Sequence, residues 1–535
     1  MPDIKPNVAR AGGIMMLSLL LSRVLGLVRD AVMTWKFGSD AVTDAYTVAY
    51  MVPDLLFFLL AGGALSSAFI PVFSEYFHTG KEDDAWTVFS AVASIMTVAL
   101  IALIAIAFVF AEPLSHAIAP GKPDELIPLI AHMSRILLPA QLAFFIGGLM
   151  FGTLYARQVF SVPGLGPNIY NLGIIFGAVA LSGFFTPGII GMSWGALIGA
   201  TIGNLIIPYF AMRRLESRFR FTLDTSHPGV KKVFKLMLPV VLGLSLPGVY
   251  GMVLQWFGTY YPEGVNTSLK LSNQLMLAPV GIFGQSLAIA VFPALSQFYA
   301  QNEMGAFRKQ LASTMRTVIY ITLPITAIML AMSPFVVSAI YEQGKFTAED
   351  TRTVAQLLSL FGIGIFAWCL HPVLMRAFFA LHNTWLPILL GTLTTLLFTG
   401  LVAAAWFMKL GYEALPLASS VSAIALVIAL AIAIRAKIGA FGGMGILTTL
   451  VKAAAVSAAL GVPLYFGTEA VATTVFANGK LAVIGFLGLA TILVGWAYYG
   501  ITKLLGMPET SYVSRALNLR RQRFRARHTG VHARR

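Results

Sequence analysis

The chain of 535 residues is 58% hydrophobic and 11% charged, and its 37 lysines and arginines exceed its 22 acidic residues, giving a formal net charge of +15. An average soluble domain has about 25% charged residues, so this composition excludes an ordinary soluble protein and indicates a membrane protein. The single cysteine, Cys369, excludes an intrachain disulfide and a thiolate metal cluster.

Fourteen apolar segments are long enough to cross a bilayer, which takes about 20 residues per helix. In chain order they are 13–36, 44–73, 86–111, 126–156, 163–184, 188–212, 233–257, 266–299, 312–340, 353–381, 385–408, 413–434, 446–467 and 479–503. No A-x-A-like cleavage site follows the first, so we expect a retained span rather than a signal peptide. The pattern predicts an all-α integral membrane protein with about 14 transmembrane helices.

The first span carries three residues that lipid disfavours, Arg23, Arg29 and Asp30. A charge at the bilayer centre costs about 2.5 kcal/mol or more, so such residues usually face a polar interior, and this indicates transport. Arg23 and Asp30 are two helical turns apart and share one face, whereas Arg29 projects to another side. We predict that both arginines line a cavity and bind an anionic head group. An ion pair that only fixes helix packing is the alternative.

Two acidic residues downstream, Asp44 and Asp54, are candidates to hold these arginines in place together with Asp30. Asp54 follows Pro53, and a proline inside a spanning helix leaves backbone polar groups for side chains or water to satisfy. We interpret Asp54 as the partner of an arginine or as a neutral carboxyl packed in protein.

The eighth span contains a second polar group, Lys270, Asn273 and Gln274, within LKLSNQLMLAP. These residues suit a gate or the rim of a substrate cavity. Alternatively, Lys270 lies near the outer end of the span and extends its ammonium group to the membrane surface. Pro279 follows the group and is a candidate support for the cavity.

An internal repeat indicates two lobes. The end of the second span, ALSSAFIPVFSEYFHTG, resembles the end of the eighth, SLAIAVFPALSQFYAQN, and each follows an earlier proline, Pro53 or Pro279. Parallel repeats of six spans are typical of transporters with a cavity between two lobes, although two apolar helices can also look alike by chance. We predict an N-lobe at 1–222, a C-lobe at 223–440, two further spans at 441–505 and a basic tail at 506–535.

Lysines and arginines collect in alternate loops and in the tail, whereas the intervening loops are short or acidic. Basic loops face the cytoplasm, so we predict that both termini are cytoplasmic. The polybasic tail could bind nucleic acid, but its position directly after a span favours attachment to anionic membrane lipid. We therefore expect membrane lipids and no nucleic acid as partners.

Two enzyme signatures are absent from the sequence. There is no G-x-x-x-x-G-K-[ST] phosphate loop and no H-E-x-x-H. We expect no enzymatic activity, no cofactor and no metal site. Any driving force would then come from ion gradients, the membrane potential or substrate supply.

Several segments together resemble the MurJ/MviN family, flippases of the lipid-linked peptidoglycan precursor lipid II. The matching segments are SRVLGLVRDAVMTWKFGSDAVTDAYTVAYMVPDLL (22–56), GPNIYNLGIIFGA (166–178), LMLAPVGIFGQSLAIAVFPALS (275–296), YEQGKFTAED (341–350) and RAFFALHNTWLP (376–387). The resemblance implies the multidrug/oligosaccharidyl-lipid/polysaccharide exporter fold and a central cationic cavity that works by alternating access in the bacterial inner membrane. It also implies lipid II as substrate, with cell-wall synthesis proteins as candidate partners.

The resemblance assigns Arg23 and Arg29 to the family's cavity arginines, and Asp44 to the acidic residue of its T-D-A motif. This chain departs from the family where basic residues are usual: it has Phe57 and Phe58 in the second span.

A further departure is Gln274, which stands where the family has an arginine, so that Lys270 is the only basic residue nearby. Spans seven and eleven also lack the carboxylates with which some relatives bind sodium. Three hypotheses follow: a lipid II flippase, a divergent paralogue that moves another polyprenyl-diphosphate-linked saccharide, or a non-transporting membrane scaffold.

Overall fold

The computed structural model describes residues 5–60, 64–159, 161–215 and 217–511, which are helical with no strand in these ranges. The α-helices are α1 (Lys5–Phe37), α2 (Ala41–Ala49), α3 (Met51–Leu60), α4 (Ala64–His78), α5 (Glu82–Val109), α6 (Ala111–Ile118), α7 (Ile127–Leu137), α8 (Ala140–Ala156), α9 (Ser161–Phe176), α10 (Ile190–Ala200), α11 (Ile207–Arg214), α12 (Pro228–Gly258), α13 (Val265–Pro279), α14 (Ser286–Ala300), α15 (Met304–Ala331), α16 (Ser333–Tyr341), α17 (Ala348–Gly362), α18 (Ile365–Ala380), α19 (Trp385–Phe407), α20 (Ala414–Ile438), α21 (Gly443–Ala477) and α22 (Lys480–Leu504). The predicted fold class, an all-α membrane protein, is confirmed.

Within the described ranges, ten helical stretches are long and apolar enough to cross a membrane. An eleventh is counted if α17 and α18, which meet at a bend of 47°, form one span. Short π-helical segments such as Val280–Gln285 interrupt other spans. The predicted number of 14 therefore stays a prediction.

The chain divides into two compact units. The first consists of residues 1–274, 340–354 and 391–418, and the second of residues 275–339, 355–390 and 419–535. The predicted lobe boundaries remain a prediction.

In the first unit, α9 and α10 pack with their backbones in contact. A Cβ atom on Gly173 would lie 2.5 Å from the Cα atom of Gly199, and one on Gly195 would lie 2.3 Å from the carbonyl oxygen of Gly173. Only glycine permits such an approach, which is a common packing mode of membrane helices. These glycines place α9 firmly against its neighbours.

Polar side chains of α9 then hold α1. Asn168 donates through Nδ2 to the Ser18 hydroxyl over 2.8 Å, and Asn171 donates to the carbonyl oxygen of Ser22 over 3.3 Å. Ser18 in turn donates to the carbonyl oxygen of Gly164. These bonds fix the half of α1 that precedes Arg29.

The second unit packs α15 against α21 and α22. Tyr320 on α15 hydrogen-bonds through its hydroxyl to that of Thr502 over 2.9 Å and accepts, at its carbonyl oxygen, a bond of 2.9 Å from Tyr498. Arg316 forms an ion pair with the buried Glu509, with 2.6 Å between Nε and Oε1. These contacts tie the C-terminal helices to α15.

Candidate substrate-binding cavity

The first unit contains a cavity of about 330 Å³, formed by residues of α1, α2, α3, α9, α12 and α13 and of the turn between α2 and α3. Its lining residues are Arg29, Tyr46, Thr47, Tyr50, Asp54, Tyr170, Gly251, Leu254, Gln255, Lys270, Asn273 and Gln274. The space corresponds to roughly ten water volumes. It includes Arg29, Asp54 and the three predicted residues of the eighth span, which are far apart in sequence.

Arg29 reaches the cavity wall as part of an ion pair with its neighbour Asp30. The guanidinium donates to both carboxylate oxygens of Asp30, through Nε over 3.0 Å and through Nη2 over 3.1 Å. Its Nη1 atom donates to Oδ1 of Asn171 over 3.1 Å. An arginine has five N–H groups, so two remain for a ligand after these three bonds.

Asp30 was expected to help hold the arginines in place, and its observed partner is Arg29. The two residues leave the helix in different directions, and the bidentate contact shows that the guanidinium of Arg29 folds back to Asp30. Helical position fixes the direction of Cβ only, and a long side chain spans the difference. Arg23 itself is exposed and does not belong to the cavity lining.

Lys270 brings a second cation to the same wall. Its Nζ atom lies 3.9 Å from Oδ1 of Asp30 and 5.5 Å from the ring centroid of Tyr46. The side chain is 25% exposed, so the ammonium group is open to the cavity. The position at the cavity, and not extension to the membrane surface, is the arrangement observed for Lys270.

Three tyrosines supply hydroxyl groups between these cations. The hydroxyls of Tyr46 and Tyr50 are 2.8 Å apart, and Tyr50 also hydrogen-bonds to Tyr170. The amide groups of Asn273 and Gln274 lie on the same wall, and Oδ1 of Asn273 has no hydrogen-bond partner among the described residues. The wall therefore offers both cations and neutral hydrogen-bonding groups.

Asp54 is exposed to the cavity. Within the described ranges no cation lies within 4.0 Å of its carboxylate, so the interpretation of Asp54 as an arginine partner is wrong for this structure. Lys270 lines the same cavity as Asp54. Pro53 is the third residue of α3 and lies in its first turn, where its missing N–H is tolerated.

Asp44 lies elsewhere in the unit and does not hold an arginine, which corrects a second expectation. Its carboxylate is fully buried and forms an ion pair of 2.6 Å with Nζ of Lys122. It also accepts bonds from the backbone N–H groups of Gly264 and Thr267, over 2.9 and 2.8 Å, and from the Thr267 hydroxyl over 2.9 Å. Asp44 thus joins the loop before α7 to the start of α13.

The remaining predicted positions have structural surroundings. Pro279 ends α13, and the chain continues as the π-helical segment Val280–Gln285. Phe57 is partly buried, and its ring packs edge-on against Phe58 and Phe144 at 6.1 and 6.3 Å. Phe57 and Phe58 therefore belong to the packing of the unit.

Sequence reasoning missed Tyr46, Tyr50, Tyr170, Asn171 and Lys122. The i, i+4 spacing of Tyr46 and Tyr50 in TDAYTVAY was an available signal, since it places both rings on one helix face. Lys122 is the lone basic residue of an otherwise acidic loop. Nothing local to Tyr170 or Asn171 indicates their partners on other helices.

A sequence model of the lipid II flippase MurJ family matches residues 33–487. The chain belongs to this family. Arg23, Arg29 and Asp30 precede the matched range, so the place of Arg29 in the cavity rests on the structure. As a MurJ family member, the chain is a multi-pass membrane protein of a transporter family.

Curated relatives support the assignment over different lengths. A probable lipid II flippase MurJ of Buchnera aphidicola subsp. Acyrthosiphon pisum is 28% identical over 384 residues, which cover 71% of this chain and 75% of the relative. A probable lipid II flippase MurJ of Bdellovibrio bacteriovorus is 25% identical over 526 residues, or 96% of this chain and 97% of the relative. The similarity extends over almost the whole chain.

Solved structures agree on the fold. A lipid II flippase MurJ in an inward closed conformation matches with a TM-score of 0.76 and 23% identity, covering 91% of this chain and 98% of that chain. An inward-facing MATE family transporter of the MOP superfamily matches with a TM-score of 0.66 and 13% identity, covering 80% of this chain and 98% of that chain. The MurJ family member thus has the MOP transporter fold.

Proposed function

We propose that this MurJ family member is a flippase that moves lipid II from the cytoplasmic to the outer leaflet of a bacterial inner membrane by alternating access. The observation that carries the proposal is the cavity wall on which Arg29 and Lys270 stand beside three hydrogen-bonded tyrosines. The relatives are named as lipid II flippases, and the same activity is assigned here to this chain.

The head group of lipid II contains a diphosphate, and each cation suits it differently. The planar guanidinium of Arg29 keeps two N–H groups for phosphate oxygens, and such charge-assisted bonds are roughly twice as strong as neutral ones. Lys270 contributes a compact point charge on the same wall. The tyrosine hydroxyls and the amides of Asn273 and Gln274 bind neutral polar atoms of the head group.

Arg23 has a separate role in this proposal. It lies six residues before Arg29 on α1, a rise of about 9 Å, and is exposed. A positive charge in this position attracts the anionic head group towards the cavity before contact is made. We therefore assign capture to Arg23 and binding to Arg29.

The direction of transport follows from charge and membrane orientation. We propose that both termini face the cytoplasm, supported by Arg213 and Arg214 at the end of α11 and by Arg435 and Lys437 at the end of α20. Across a membrane that is negative inside, outward movement of each negative charge is favoured by about 2.3 kcal/mol per 100 mV. Membrane potential can thus assist export of the diphosphate, and no chemical conversion of the substrate is required.

Cell-wall synthesis proteins that supply or consume lipid II are proposed partners. Membrane lipids surround the spans, and the basic tail is proposed to contact anionic lipid, not nucleic acid. Co-purification from membranes tests the protein partners.

The test combines transport with binding. Arg29→Ala should abolish rescue of a strain depleted of its lipid II flippase and weaken lipid II binding to the purified protein by about 30- to 150-fold, because a charged hydrogen-bond donor worth about 2–3 kcal/mol is lost. Arg135→Ala is the matched control, since Arg135 lies on α7 and bonds to the carbonyl oxygen of Phe108 outside the cavity. Both variants should accumulate normally in the membrane.

Native mass spectrometry with lipid II and with a lipid-linked sugar that is not a peptidoglycan precursor measures the selectivity. Preferential retention of lipid II, weakened by Arg29→Ala and unchanged by Arg135→Ala, supports the proposal. Full rescue by Arg29→Ala at normal abundance, or equal retention of both lipids, contradicts it.

A further inference from the structure

The charges on the cavity wall sum to zero when every group is in its usual ionised form. Arg29 and Lys270 provide two positive charges, and Asp30 and Asp54 provide two negative charges. A diphosphate that enters this cavity meets no excess of positive charge. A carboxylate beside a bound phosphate repels it, and this repulsion is stronger inside a protein than in water.

The carboxylates of Asp30 and Asp54 differ in their ion pairs and hydrogen bonds. Asp30 is 1% exposed, receives two bonds from Arg29 and lies 3.9 Å from Lys270. Asp54 is exposed to the cavity, and in the described part of the chain neither an ion pair nor a hydrogen bond holds its side chain. Asp30 is therefore fixed as the counter-ion of Arg29, whereas Asp54 is open to water and to a ligand.

The groups that face Asp54 come from several helices. The titratable ones are Arg29 and Asp30 on α1, Tyr46 on α2, Tyr50 after it, Tyr170 on α9 and Lys270 on α13. The helix α12 contributes Gly251, Leu254 and Gln255, which do not titrate, and α5 to α8 contribute no residue to the described lining. Arginine stays protonated in proteins. Lys270 is paired with Asp30 at 3.9 Å, so Asp54 is the carboxylate of this wall whose charge can change without disturbing a described ion pair.

Resting on the function proposed above, we propose that Asp54 is a proton-binding site and that the cavity takes up the diphosphate head group together with one proton. The proton passes from water to the Asp54 carboxylate and gives a neutral carboxylic acid. The wall then carries one net positive charge in place of none. The neutral acid also gains an O–H donor that a phosphate oxygen can accept.

Proton uptake and head-group binding are thermodynamically linked, so the proposal predicts a pH-dependent dissociation constant. If binding takes up one proton, the dissociation constant for the head group rises by up to about tenfold for each unit of pH above the range in which Asp54 is protonated in the free protein. Asp54→Asn removes the negative charge permanently and keeps the shape of the side chain. This variant should bind lipid II at pH 8.5 at least as tightly as the wild type does at pH 6, with no proton uptake attributable to residue 54.

The experiment is titration calorimetry of the full chain in nanodiscs with lipid II, from pH 5.5 to 8.5, in two buffers of different ionisation enthalpy. The difference between the buffers counts the protons taken up on binding. Titrating groups of lipid II itself contribute equally to all variants, so the difference between wild type and Asp54→Asn reports Asp54. Glu349→Gln, an exposed carboxylate outside the cavity, is the matched control and should behave as the wild type does.

Two further variants keep the test decisive if Asp54→Asn fails to fold. Asp54→Glu retains the ionisable group and should retain the proton uptake, whereas Asp54→Ser should lose it. Uptake about one proton larger in the wild type than in the neutral variants supports the proposal. Equal proton counts and equal pH dependence overturn it and leave the flippase proposal standing, whereas no binding of lipid II by the wild type at any pH overturns both.

Discussion

Asp44 and Asp54 are ten residues apart in the same unit, and their surroundings are opposite. The Asp44 carboxylate is fully buried and receives four bonds, from Lys122, Gly264 and twice from Thr267. The Asp54 carboxylate is exposed to a cavity and has no ion pair among the described residues. A satisfied buried carboxylate holds helices together, whereas an unsatisfied one beside cations is available to a ligand.

The largest effect should come from removing the cation that pairs with the buried carboxylate of Asp44. Lys122→Met leaves the buried charge of Asp44 without its cation, and removal of one partner from a buried pair costs about 3–5 kcal/mol. Thermal unfolding of the purified protein should show a large loss of stability. Lys345→Met, which changes an exposed lysine, is the control.

The double variant Asp44→Asn, Lys122→Met removes both charges and should recover part of the lost stability. An unchanged melting temperature for Lys122→Met alone would show that Asp44 is not a structural tie, and the contrast with Asp54 would then fail.

A smaller effect is expected from the substitution of a cation at the cavity wall. Lys270→Gln removes one of the two cations, and we expect lipid II to bind about tenfold more weakly, since a hydrogen bond to a charged group contributes about 1.5 kcal/mol. Native mass spectrometry measures this loss. Lys235→Gln, at an exposed position of α12, should bind as the wild type does, and comparable weakening by both variants would argue against a specific contact.

The smallest effect should come from the neutral groups. Tyr50→Phe removes one hydroxyl, with its bond of 2.8 Å to Tyr46, and keeps the edge-on ring contact at 5.2 Å. A neutral hydrogen bond is worth about 1 kcal/mol, so we expect about fivefold weaker binding in the same assay. A loss equal to that of Lys270→Gln would mean that the hydroxyls, not the charges, dominate head-group recognition.

The sequence predicts the residues that are energetically unfavourable in an apolar span. Arg29 and Asp30 stand out because charge is expensive in a bilayer, and Lys270, Asn273 and Gln274 stand out as a polar group in an apolar span. The fold class follows from composition and segment length alone.

The contact partners of these side chains, and their exposure, were not predictable from the sequence. The pair formed by Asp44 and Lys122 joins residues 78 positions apart, and helical periodicity carries no information about such contacts. The bond from Arg29 to Asn171 spans 142 positions. Hydropathy alone does not fix the number of spans, because bends such as that between α17 and α18 divide apolar segments.

We propose that the wall formed by Arg29 and Lys270 binds the diphosphate of lipid II. The most direct measurement is a cryo-electron microscopy structure of the full chain in nanodiscs saturated with lipid II. We expect phosphate oxygens at about 2.7–2.9 Å from the guanidinium of Arg29, with Lys270 on the same phosphates. A head group bound elsewhere, with this cavity unoccupied, would contradict it.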